Sequence, residues 1–146
     1  MIDARRIEEA GLNALQTQRQ LFYDGWLLRV SPGSAKRARS VNAHFGSTLP
    51  LDEKIAHCER VYGERELPVL FRITPFVQPA DLEGALARRG YRPFQPTLVQ
   101  AMELVGRELP SQGPAEVALV EPSIDAFADA VAALRGSPPG QRDALR

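Results

Sequence analysis

A short run between two apolar stretches, His44-Phe45-Gly46-Ser47-Thr48-Leu49-Pro50, holds residue types suited to meeting an anion. Gly46 leaves its backbone N–H accessible, and Ser47 and Thr48 add hydroxyls. A helix expected just after Pro50 would aim its positive dipole end at the same point. Gly46, Ser47 and Thr48 are therefore candidate contacts for a phosphate or carboxylate. The same residues also suit a turn and helix cap, with Gly46 meeting a backbone requirement and Thr48 satisfying orphan N–H groups. The residues alone leave both readings open.

Other groups invite the same double reading. Lys36, Arg37 and Arg39, with Arg29 across a hairpin, make the densest positive patch; arginine forks suit phosphate or carboxylate, and charges equally guard an exposed sheet edge. Ser40 and Asn42 are candidate substrate contacts on the open face of a sheet, or ladder-edge hydrogen-bonding groups. His57 and Cys58 are adjacent on a helix and point roughly 100° apart, so they do not form a thiol–imidazole pair. Cys58 falls on an apolar stripe and reads as core. Tyr62 and Tyr91 could protonate a leaving group or simply pack, while Glu53 and Glu103 lack a neighbour that would tune them as bases. No catalytic residue stands out. One cysteine and two histidines provide neither an intrachain disulfide nor a structural zinc set.

The elements that must position these groups follow from periodicity. Asp3 to Leu15 reads as a helix with Ile7, Ala10, Ala14 and Leu15 inward. Asp24-Gly25 between Leu21–Tyr23 and Trp26–Val30 predicts a two-residue hairpin, with Trp26 as a core anchor. Residues 31–34 (SPGS) read as a turn and KRARSVNAH as a strand. A helix from Thr48 to about Arg65 has Leu51, Ile55, Cys58, Val61 and Tyr62 inward and Lys54, Glu59 and Arg60 outward. Residues 67–74 predict a buried central strand. Pro79 opens a helix, DLEGALARRG at residues 81–90, with Leu82, Ala85 and Leu86 inward and Gly90 closing it, and PTLVQAMELV predicts a last strand. This order predicts an α/β (α+β) fold, a mixed, mostly antiparallel central sheet flanked by helices. Domain boundaries are expected at 1–104, a linker at 105–115, and a second unit at 116–146 that opens with a strand and a helix capped by Ser123.

The succession GWLLRV, KRARSVN, LPLDEKIAHCERVYG, LPVLFRI and ALARRGYRPF resembles the N-terminal half of bacterial proteins that carry two tandem domains of the GNAT (acyl-CoA N-acyltransferase) superfamily. The resemblance covers about residues 8 to 104, and residues 115–135 look like the opening of the second copy. It implies the GNAT-like fold, acetyl-CoA as co-substrate and transfer of an acetyl group to an amine. In the family, a Gln/Arg-x-x-Gly-x-Gly/Ala loop after a strand holds the pyrophosphate. Residues 44–50 stand in that place with one glycine and a proline that has no N–H. That departure predicts a degenerate, non-catalytic half whose partner is a second GNAT domain or another copy. The alternative expectation is a non-enzymatic substrate-binding or dimerisation domain.

Composition narrows the partners. Apolar residues at 44% and charged residues at 25% fit a globular chain, and Lys plus Arg equals Asp plus Glu at 18 each, so no global field draws it to nucleic acid or an anionic membrane. No run is long and apolar enough for a membrane span, and the first residues are charged rather than signal-like. A cytoplasmic protein is expected, and the family resemblance implies a small-molecule or amine substrate.

Overall fold

A computed structural model describes residues 3–15, 17–31, 35–103, 105–106 and 120–136. The chain divides into two compact units, one spanning Asp3–Phe94 and one Gln95–Arg146.

The first unit is a four-stranded mixed sheet with helices. Helix α1 covers Ala4–Ala14, strand β1 Gln20–Tyr23 and β2 Trp26–Arg29. A 3-10 turn at Lys36–Ala38 leads into β3, Val41–Ala43. Helix α2 covers Leu51–Gly63, β4 Phe71–Arg72 and α3 Leu82–Arg88. The sheet order is β1-β2-β3-β4, antiparallel except for the parallel β3–β4 pair. Asp24 and Gly25 make the hairpin turn at φ 42° and 82°, the left-handed pair such a turn requires and that Asp and Gly tolerate. The mixed α/β arrangement is as expected.

Register sorts the side chains onto two faces. Tyr23, Trp26 and Ala43 lie in one cross-strand row, and Leu28, Val41 and Phe71 in the next. Ile55, Cys58, Val61 and Tyr62 of α2 and Leu82, Ala85 and Leu86 of α3 join these rows in one apolar core. Leu27, Asn42 and Arg72 form the row facing the other way. On that face Arg29, Ser40, Asn42 and His44 are buried, as are Glu8 and Leu12 of α1. One face is apolar and the other is polar yet buried.

Several local expectations are corrected. In α1 the buried positions are Glu8 and Leu12, whereas Ala10 and Ala14 are exposed, because the face it packs against carries charged partners. The first half of KRARSVNAH is the 3-10 turn rather than strand. Segment 67–74 contributes only the two residues of β4, half-buried at the edge of the sheet rather than at its centre. Lys54, placed outward by period, is fully buried. PTLVQAMELV forms no strand among its described residues; Leu98, Val99 and Met102 are exposed, since an alternating pattern becomes a strand only beside a partner.

In the second unit, α4 covers Ile124–Arg135, capped by Ser123 Oγ accepting from Ala126 N at 3.2 Å and closed by Gly136 at φ 60°. Its Ala128 is buried, while Ile124, Phe127 and Leu134 are exposed. The turn at 32–34, the strand expected at 116–119 and the segment after 136 lie outside the described residues. No helix among the described residues is long and apolar enough to cross a membrane.

Candidate functional site

The loop from His44 to Pro50 does sit at the N-terminal end of α2, and its N–H groups do hold an anion, one supplied by the chain itself. Asp24, at the hairpin tip, accepts from Thr48 N through both carboxylate oxygens at 3.0 Å and from Leu49 N at 3.0 Å. The Thr48 hydroxyl donates to Asp24 Oδ1 at 2.7 Å. Lys54 Nζ reaches back from the first turn of α2 to Asp24 Oδ2 at 3.1 Å, to Asp24 O at 2.5 Å and to Ser47 Oγ. The same ammonium stands 4.0 Å from the Trp26 ring centre, a cation–π contact. Thr48 is thus no helix cap: the N-cap position is Pro50, with no side-chain cap bond, and Asp24 supplies the missing acceptor from 24 residues away.

Gly25 keeps its hairpin role and also takes the close-approach role expected of Gly46. A Cβ on Gly25 would stand 2.3 Å from Gly46 O and 2.9 Å from Phe45 O, whereas one on Gly46 would meet nothing within 4 Å. Phe45 N donates to Gly25 O at 3.2 Å. Gly25, not Gly46, lets the loop close on the hairpin.

Electrostatics follow the geometry. The Asp24 carboxyl is held well below the usual carboxylate range, first by the Leu49 and Thr48 N–H groups and then by the Thr48 hydroxyl, with burial opposing and Lys54 adding least. Burial pulls the Lys54 ammonium below its ordinary value, and hydrogen bonding to Asp24 opposes the shift. Because the folded form prefers the Asp24 anion, its stabilisation is complete above about pH 4 and is lost as pH falls toward the lower folded value. The denaturant midpoint should therefore decline below pH 4, and Asp24→Asn should flatten that decline; an unchanged acid limb in the variant would show that Asp24 is not its source.

Ser40 and Asn42, expected on an open face, are instead buried within the polar face of the sheet. Asn42 Nδ2 donates to Ser40 O at 3.0 Å and to Leu27 O at 3.3 Å, and its Oδ1 accepts from Arg72 Nη1 at 3.2 Å. Arg72 also pairs with Glu8. Arg29 Nη2 donates to Leu12 O at 2.6 Å and Nη1 to Leu15 O at 3.1 Å, satisfying carbonyls that the end of α1 leaves open. Ser40 Oγ and both His44 ring nitrogens have no hydrogen-bond partner among the described residues. His44 stacks on Phe76 with centroids 5.6 Å apart, and burial pulls its pKa down, which disfavours the imidazolium form.

The remaining candidates are either committed to packing or left exposed. Cys58 is fully buried and its thiol is pushed up to about 12 by burial. The Tyr62 hydroxyl donates to Arg29 O at 2.7 Å and that of Tyr91 to Glu59 at 3.0 Å; burial raises both phenols. His57 stacks on Tyr23 at 3.8 Å. Glu53 and Glu103 are exposed. Lys36 lies 5.7 Å from the Phe94 ring centre. Among the described residues no three His, Cys, Asp or Glu side chains gather as a metal site.

Sequence reasoning missed Asp24, Lys54, Glu8 and Arg72 as members of buried networks. The one available signal was Lys54 itself, flanked by Ile55 and three residues from Leu51, next to the apolar stripe. Comparison with known proteins finds no match, whether to a family model, a curated protein or a solved structure.

Proposed function

We propose that this chain is a non-catalytic domain of the GNAT type, a cytoplasmic partner that supports, or presents a small amine substrate to, a separate catalytic copy. The observation that carries the reading is the occupancy of the Thr48 and Leu49 N–H groups by Asp24. In the family this loop receives the pyrophosphate of acetyl-CoA. Here a polyphosphate would have to displace an anchored carboxylate and face its charge, a like-charge contact that opposes binding. The element order also supports the reading: an antiparallel run β1-β2-β3, then a parallel crossover through α2 to β4, with the loop at the crossover helix start. No catalytic role is assigned, because the two tyrosines that could act as general acids donate their protons inside the fold.

Isothermal titration of the purified chain with acetyl-CoA is the test. No measurable heat at micromolar concentrations is expected, and micromolar binding would overturn the non-catalytic reading.

A further inference from the structure

A cleft of about 680 Å³ opens between the C-terminal end of α1 and the β1–β2 hairpin, away from the loop at 44–50. We infer that it is a binding site for a small organic anion: a carboxylate or phosphate head carrying a short apolar part. The inference does not depend on the acyltransferase-like reading.

Charge carries the argument. Arg19, Arg29 and Arg65 line the cleft, and no acidic side chain does among the described residues. Arg29 is 4% exposed. Its two terminal nitrogens are spent on Leu12 O and Leu15 O, and Nε has no partner among the described residues. A buried cation normally faces a carboxylate. Here Arg72 and Arg37 add like charge, and Glu8, the one opposing group acting on Arg29, is paired with Arg72. Arg65 is held at the end of α2 by donating to Val61 O at 2.6 Å, with Glu64 at 3.8 Å.

The end of α1 works against an anion, since a helix C-terminus carries roughly half a negative charge. Arg29 covers two of those carbonyls, and the two whole positive charges of Arg19 and Arg65 outweigh the remainder. The other walls select the rest of the ligand. Leu15 and Leu21, both partly exposed, give the otherwise mostly polar cleft a small apolar side, and its volume suits a ligand of small-metabolite size. An inorganic ion alone would leave that side wet.

Amide NMR titration of the full chain tests this with three probes: hexanoate, inorganic phosphate and hexylamine. Hexanoate should give saturable shifts across residues 12–21 and at 29–30, weakening as salt is added. Arg19→Gln and Arg65→Gln should each weaken binding about fivefold, the loss of one charge-assisted contact. Both side chains are exposed, so the variants keep the fold; Arg29 is avoided because it anchors α1. Hexylamine should not bind. Saturation by phosphate as well would assign the head group to the phosphate class, and hexanoate alone to the carboxylate class. The proposal is overturned if hexanoate fails to saturate by about 10 mM, if hexylamine binds equally well, or if neither arginine variant weakens hexanoate.

Discussion

Lys54→Met is expected to destabilise the first unit by about 2–3 kcal/mol, read as a shift in the urea midpoint at unchanged slope. The side chain is fully buried and joins Asp24, Ser47 and the Trp26 face. Removing one member of a buried pair costs about 3–5 kcal/mol where the other charge is stranded. Asp24 is not stranded, because the Thr48 and Leu49 N–H groups remain on it, and methionine refills the apolar stem; the expected loss falls below that range. The coupling is separately measurable: Asp24→Asn should cost less in the Lys54→Met background than alone. Equal costs in the two backgrounds would show that the ammonium and the carboxylate do not act together.

Arg29→Met should act on α1 more than on the sheet. Without the guanidinium, Leu12 O and Leu15 O lose their donors, at a cost of about 1–3 kcal/mol each for acceptors kept from water. Relief of a buried cation works the other way, and opening the helix end to solvent limits the loss. A net of about 2 kcal/mol is expected, confined to α1. Hydrogen exchange is the suitable probe: amides of α1 should lose protection by about thirtyfold while those of β2 and β3 hold theirs. Uniform loss across the sheet would place Arg29 in the central core instead.

The parts of the fold legible in sequence were those whose determinants are local. Asp24-Gly25 announces its hairpin through φ preferences alone. Ile55, Cys58, Val61 and Tyr62 announce α2 through period, and Leu82, Ala85 and Leu86 announce α3. The candidate site was half legible. A loop at the start of α2 with donors suited to an anion was readable from Ser47, Thr48 and the helix that follows. Its occupant was not, because Asp24 lies on another element and nothing in local pattern links a turn aspartate to an N–H pair 24 residues on. Lys54 was misplaced and Glu8 overlooked for the same reason. Period assigns charged residues outward, and only a partner across the sheet or the loop, Arg72 for one and Asp24 for the other, reverses that. Pro96 to Val105 erred in the opposite direction: alternation states what a segment can pair with, not that a pairing occurs.

Gly25 links the two halves of the site more tightly than either carboxylate or lysine does. Carbonyls of residues 45 and 46 occupy the space its side chain would need, so the hairpin tip and the loop are seated against each other like a key in a lock plate. Any methyl group there must push the loop outward and carry the Thr48 and Leu49 donors off Asp24. A residue with no side chain is therefore the spacer that sets the alignment of the Asp24 contacts, and the hairpin cannot be retuned there without also retuning the loop.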